Sequence, residues 1–300
     1  MKKYLFAISL ITGMLGVTLP SQVWAVSLYN AGGLKAAFGK ISKNFTVKYG
    51  IPITQVSGPC GLLRERIEQE LSSKKASADV YASASTRNPQ KLFNQGLSGR
   101  VIKFSQTRMV ALVRPGLKVT TDKLLDLLLD PNIKLATSTP IKDSSGDYAQ
   151  EIFQQADSIK PGSFKILNGK ALRLVGGAPT SITPPNNVDT FKYILKDDKL
   201  ADVAIVYYTT ALASVAAASD LQIVELPDKL AKNVTLSLTV VKGANPEAEK
   251  LAQYILSREG EQVLLKYGFS SLQKSTSLPE PQKATHKVVQ QSKFDIVRQH

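Results

Sequence analysis

A chain of 300 residues with 43% hydrophobic and 21% charged residues has the composition of one large or two medium soluble domains, which excludes a disordered polymer and a multi-span membrane protein. The single cysteine excludes an internal disulfide framework and any multi-cysteine metal site, and both histidines, His286 and His300, fall in the last fifteen residues. The body therefore has no imidazole for a Ser-His-Asp or Cys-His machine or for a histidine-bound metal, while the formal charge of +14 names no partner by itself.

Residues 1–25 read as an export signal. Lys2 and Lys3 form a positive start, residues 4–17 are apolar and uncharged, and Val23-Trp24-Ala25 puts small residues at the −3 and −1 positions of a cleavage site. The apolar run is short of the roughly 20 residues that a membrane span needs, and no cysteine follows it to carry a lipid. Its removal takes the charge from +14 to +12 and predicts an exported, periplasmic product with no stable membrane insertion. A second uncharged stretch, 203–219, is β-branched first and alanine-rich afterwards, interrupted by Thr209, Thr210 and Ser214. It predicts a strand followed by a helix.

From Val26 onward β-rich runs alternate with helical spacing, the pattern of an α/β fold with mainly parallel strands. Strands are expected over 26–29, 53–56, 79–82, 109–113, 134–137, 203–207, 221–226 and 234–241. Helices are expected at Leu34 to Phe45, at Leu62 to Leu71, and over 124–129, 147–156, 188–195, 211–218 and 246–266, with a loop over 84–88. The stretch 234–241 is placed as a strand answering 109–113, a second crossing between lobes. Residues 176–187 are dense in Gly, Pro, Ser and Thr and form the longest loop, either a rim of a cleft or a solvent-exposed insertion.

Three turns share one design, in which a strand ends, small residues follow and a helix begins: Ala31-Gly32-Gly33, Gly58-Pro59-Cys60-Gly61 and Ser144-Ser145-Gly146. Free N–H groups and the positive end of the helix dipole make such starts fit for anions. In an open α/β sheet they gather at the carboxyl ends of the strands. Any one of them is weak; three in an exported chain without a body histidine point to an anion-binding protein.

The segment Leu28-Tyr29-Asn30-Ala31-Gly32-Gly33-Leu34 resembles the opening of the periplasmic molybdate-binding proteins of ABC importers. Later blocks of that family are matched in order by Ser57-Gly58-Pro59-Cys60-Gly61-Leu62, Ala78-Asp79-Val80-Tyr81-Ala82-Ser83-Ala84 and Asp143-Ser144-Ser145-Gly146-Asp147-Tyr148-Ala149. Ala204-Ile205-Val206-Tyr207 and Lys266-Tyr267-Gly268-Phe269 complete the set. The resemblance covers about 26–269 and implies a type II periplasmic binding protein, two α/β lobes joined by two crossing hinge strands that close on a ligand. The implied division is lobe I over 26–107 plus 236–270, lobe II over 108–235 and a polar basic tail over 271–300.

The resemblance also implies how a tetrahedral oxyanion is held: by two serine hydroxyls, backbone N–H groups and a tyrosine hydroxyl, with no counter-charge, metal or cofactor. Carried over turn by turn, the serine positions fall on Gly33 and Cys60, the backbone positions on Ala84, Ser145 and Val188, and the tyrosine on Tyr207. Gly33 has no hydroxyl and Cys60 is a weaker donor than serine, while Ser145 adds a hydroxyl. These departures bear on which anion is bound and leave the anion-binding architecture intact.

Three functions are weighed on this basis. The favoured one is the solute-binding component of an ABC importer, a monomer delivering a small oxyanion of molybdate or tungstate type to a membrane permease. A second is a binding lobe recruited as an envelope interaction or colonisation factor, motivated by the weakened ligand set and by a tail with five basic residues against Glu280 and Asp295. A third, ranked last, is a thiol enzyme at Cys60, which also reads as an inert buried residue or as a weak cleft donor. Nucleic acid is set aside because the chain is exported and has no compact Lys/Arg block with interleaved aromatics.

Overall fold

The computed structural model describes residues 25–272. The expected export signal, apart from Ala25, and the basic tail, apart from its first two residues, lie outside the described residues. The chain opens with β1 (Val26–Ala31), a single tight turn through Gly32 and Gly33, and α1 (Lys35–Tyr49). One face of α1 buries Ala37, Phe38, Ile41 and Phe45, the residues whose helical spacing stands out in the sequence. Then follow β2 (Ile53–Gly58), α2 (Cys60–Ser72), β3 (Val80–Ser83), α3 (Arg87–Asn94) and the long β4 (Ile102–Val113).

The second half of the chain carries α4 (Leu124–Leu129), β5 (Leu135–Ser138), α5 (Ser144–Ile159), α6 (Ser163–Lys170) and β6 (Leu172–Val175). After a long loop come α7 (Thr190–Lys192), widened into a π turn over Tyr193–Asp197, then β7 (Val203–Tyr207), α8 (Tyr208–Ala217) and β8 (Gln222–Glu225). Last are β9 (Asn233–Val240), α9 (Ala248–Leu256) and α10 (Arg258–Lys266).

The nine strands of the described residues belong to one curled sheet of order β2-β1-β3-β9-β4-β7-β5-β6, with β8 also on β4. The outer strands pair in parallel, β1 with β2 and β3, and β5 with β6 and β7. The strands that cross the middle are antiparallel. β4 holds the two halves together by changing partners along its length: Ile102 to Arg108 pairs with β9, and Met109 to Val113 pairs with β7 and β8. That second stretch is buried on both faces, Met109, Ala111 and Val113 in one core and Val110 and Leu112 in another, which is why it reads as an unbroken apolar run.

Four expectations change. The strand at 234–241 answers Ile102 to Arg108 rather than 109–113, because β4 starts seven residues earlier than its apolar stretch. The expected helix over 246–266 is two helices. Ser257 breaks it, with extended backbone (ψ 164°) and its hydroxyl accepting from the Gly260 amide at 3.3 Å, so that it caps α10. The loop expected over 84–88 yields to α3 from Arg87, and α6 and β6 were not anticipated.

Candidate functional site

Two helices start directly from the carboxyl ends of strands on either side of the gap between the halves: α1 after β1, through Gly32 and Gly33, and α8 after β7, at Tyr207. Between them lies a cavity of about 770 Å³. Its volume is that of a metabolite pocket. A tetrahedral oxyanion needs only on the order of 100 Å³, taking roughly 30 Å³ for each oxygen-sized centre. The ends of the long loop, Val175-Gly176 and Val188-Asp189, line it, so that loop contributes to the wall.

Tyr207 is the last residue of β7 and the N-cap of α8. Its side chain lines the cavity and is only 6% exposed, and its hydroxyl has no hydrogen-bond partner among the described residues. Thr209, in the first turn of α8, repeats the arrangement: it lines the cavity, is 7% exposed, and its Oγ1 has no partner. Buried hydroxyls are ordinarily paired, because an unpaired one costs about 1–3 kcal/mol. Burial also pushes the Tyr207 phenol well above its usual range, with the charge of Asp143 adding to the effect, so the hydroxyl stays a neutral donor. Lys35 is the one cation among the lining residues.

The start of α2 is built differently. The Gly61 and Leu62 amides donate to the Lys142 carbonyl of the other half at 2.8 and 3.2 Å. The Cys60 amide donates to Asp143 Oδ1 at 3.5 Å, and the Ser138 hydroxyl donates to Asp143 Oδ2 at 2.6 Å. The approach is close enough to require glycine at position 61, where a Cβ would lie 2.2 Å from the Ile141 carbonyl oxygen. Behind this contact the Asn88 amide donates to Ser144 Oγ, which donates to Ser85 Oγ, both at 3.1 Å. Arg87 and Lys232 both pair with Glu151. Burial pushes the Asp143 carboxyl above its usual range against the pull of its hydrogen bonds to Ser138 and Cys60.

Of the six residues carried over from the sequence, Gly33, Ser145, Val188 and Tyr207 line the cavity, while Cys60 and Ala84 are buried and are not part of the lining. Burial pushes the Cys60 thiol up to about 11, so at neutral pH it is an unreactive core group. Thr209, Asp143 and Lys35 also line the cavity and were not singled out. For Asp143 the signal lay in its position just before Ser144-Ser145-Gly146, an N-cap residue at a helix start. Among the described residues no cluster of His, Cys, Asp and Glu is placed to hold a metal ion, and no helix is long and apolar enough to cross a membrane. A second cavity, about 880 Å³, is lined by Arg114, Lys118, Lys123, Asp126, Asp130 and Asp220 among others. None of the unpartnered buried hydroxyls faces it.

A protein of Pasteurella multocida called uncharacterized protein PM1146 is 29% identical over 241 residues, 80% of this chain and 95% of its own. The periplasmic molybdate-binding protein of Azotobacter vinelandii superposes with a TM-score of 0.62 at 16% identity, covering 83% of this chain and 100% of its own. The periplasmic binding protein AfuA of Actinobacillus pleuropneumoniae, solved with fructose-6-phosphate, gives a TM-score of 0.63 at 16% identity, with 82% and 84% covered. At such identities the likeness is one of fold, that of the type II periplasmic binding proteins. Residues 26–270 match the family model of the bacterial extracellular solute-binding proteins, and the chain belongs to that family.

Proposed function

We propose that this chain is the exported solute-binding component of an ABC importer and that it captures an oxyanion-bearing solute in the 770 Å³ cavity for delivery to a membrane permease. The observation that carries the reading is the pair of unpartnered, buried hydroxyls of Tyr207 and Thr209 at the start of α8. A helix start, two neutral donors and the Lys35 ammonium favour negative charge, set against the carboxylates of Asp143 and Asp189 in the same lining. Gly33, Ser145 and Val188 complete the contacts, with Cys60 and Ala84 supporting the wall from behind. The lobes divide near Arg108 on β4, where its partner changes from β9 to β7 and β8, and ahead of Leu236 on β9, and they close by bending at those two crossings.

A binding role agrees with the family of extracellular solute-binding proteins, and the single thiol is buried. The direct test is thermal melting of protein freed of bound solute, against molybdate, tungstate, sulfate, phosphate and small organic anions. A ligand bound by the folded state alone raises the melting temperature, so at least one anion is expected to do so. No rise with any of them overturns the proposal.

A further inference from the structure

The first amides of a helix have no partner within it. At α2 the N-cap is Pro59, which carries no amide hydrogen, and the three amides that follow are met by the other half of the molecule. The Lys142 carbonyl takes Gly61 and Leu62 at 2.8 and 3.2 Å, and the Asp143 carboxylate takes Cys60 at 3.5 Å. Around this point the halves also meet at Gly177, where a Cβ would lie 2.6 Å from Leu62 Cδ1. They meet again in the buried chain of Asn88, Ser144 and Ser85 and in the Arg87–Glu151 pair at 2.8 Å. The segment that supplies the carbonyl is itself strained. Ile141 is 73% exposed and has a φ of 70°, the left-handed region in which a β-branched residue is an outlier that persists only where its surroundings hold it. Its amide donates to Asp147 Oδ1 of its own half at 2.7 Å.

We infer that Ile141 to Asp143 is a latch between the lobes, which closes them by contacts of chain with chain and which the strain at Ile141 keeps reversible. The inference rests on the two-lobe division proposed above and makes no assumption about the solute. A solute then biases an equilibrium between open and closed forms that the chain already populates; it does not create the closed form. Gly61 belongs to the latch because the carbonyl oxygens of Ile141 and Lys142 come within 2.2 and 2.8 Å of where a Cβ would stand, so a side chain there holds the lobes apart. The polar seam belongs to it as well. Asn88, Ser144 and Ser85 bond to one another where the lobes meet and are free to bond to water when they part, so opening leaves no buried polar group unpaired. Lys142 steadies the segment from its own side, its ammonium donating to the Gly177 carbonyl at 3.2 Å.

Amide hydrogen exchange on the full chain freed of bound solute tests this at Gly61 and Leu62. Leu63 is the reference, because its amide bonds within α2, to the Pro59 carbonyl at 2.9 Å. In the parent, Gly61 and Leu62 are expected to exchange at least about tenfold slower than free peptide, yet faster than the core amides of β4 and β7, which open only on global unfolding. In Gly61→Ala the protection at both positions is expected to fall to within about twofold of free peptide while Leu63 keeps its own. Ile141→Asn, with a residue that accepts positive φ, is expected to slow exchange at both positions several-fold, and it decides the matter if Gly61→Ala does not fold. Free-peptide rates at Gly61 and Leu62 in the parent overturn the latch, and so does exchange there only at the rate of the β4 core, which would make the contact permanent. A folded Gly61→Ala with undiminished protection overturns it too, as does an Ile141→Asn that exchanges no more slowly than the parent. The melting panel decides anion binding separately: a latched chain that no anion stabilises overturns the proposed function alone, and an unlatched chain that an anion stabilises overturns the latch alone.

Discussion

The starts of α2 and α8 face the same gap and follow the same design, strand end then helix, yet they are left in opposite states. At α2 the chain supplies its own cap from the other half, with the Lys142 carbonyl on two amides and the Asp143 carboxylate on a third. At α8 two buried hydroxyls remain without partners. Every helix start has unsatisfied amides, so the helix dipole does not distinguish a binding end from a structural one. What distinguishes them is whether the rest of the chain has already met the donors.

The largest effect is expected where that cap is built. In Gly61→Ala the new Cβ would lie 2.2 Å from the Ile141 carbonyl oxygen and 2.8 Å from that of Lys142, both backbone atoms that cannot swing aside. Overpacking and two weakened hydrogen bonds together cost about 3 kcal/mol, a fall of roughly 6–12 °C in melting temperature. Gly32→Ala, where a Cβ meets nothing within 4 Å, is the control and should melt with the parent. Equal melting of Gly61→Ala and parent would show that the two halves do not close at α2.

Tyr207→Phe probes the other end and should reverse the sign. Losing an unpartnered buried hydroxyl leaves the solute-free protein as stable as the parent or more so, by up to about 1 kcal/mol. Affinity for the anionic solute falls by roughly ten- to a hundredfold, the worth of a hydrogen bond to a charged group. Melting and titration on the same variant separate the two effects, and a variant that loses stability without losing affinity would place Tyr207 with the structural end.

The carboxylate at α2 also has a pH signature. Burial raises the folded-state value of Asp143 above its usual 3.8, so the folded chain holds that proton more tightly than the unfolded one. The stability it contributes is complete below 3.8 and is lost as the pH rises through the raised value. Asp143→Asn has no such loss, so its melting temperature should gain on the parent's as the pH rises above 3.8. A difference that stays flat with pH contradicts the buried-carboxylate account.

The smallest effect is expected for Gly33→Ser. A Cβ there meets Tyr207 Cδ2 at 3.4 Å and Thr210 Oγ1 at 3.5 Å, ordinary contacts, so stability should move by less than about 0.5 kcal/mol. The added hydroxyl joins the α8 donors, and titration should show affinity rising a few-fold or staying level. A large loss of affinity would mean that the solute packs directly on the Gly33 backbone.

The sequence made much of this legible because local pattern and tertiary role agree in most elements. The spacing of Ala37, Phe38, Ile41 and Phe45 gives the buried face of α1, and the apolar run at Met109 to Val113 announces a strand covered on both sides. Where polar residues sit in a strand by virtue of its neighbour, as at Ser105 to Thr107 in β4, there was no apolar pattern to read. At the site, Tyr207 and Gly33 stand at turns visible in the sequence. Cys60 and Asp143 show what is not visible there. Both lie at helix starts, but the first is sealed in by partners from elsewhere in the chain, and the second points its carboxylate at a helix 83 residues away. Thr209 looked like a polar interruption of an apolar stretch until folding placed it at the cavity wall.

The most direct test of the account is to melt the solute-free parent and Tyr207→Phe side by side in the presence of the anion panel. The account predicts that at least one anion raises the parent's melting temperature and that the rise is sharply reduced in Tyr207→Phe. An equal rise in both proteins, or no rise with any anion, contradicts it.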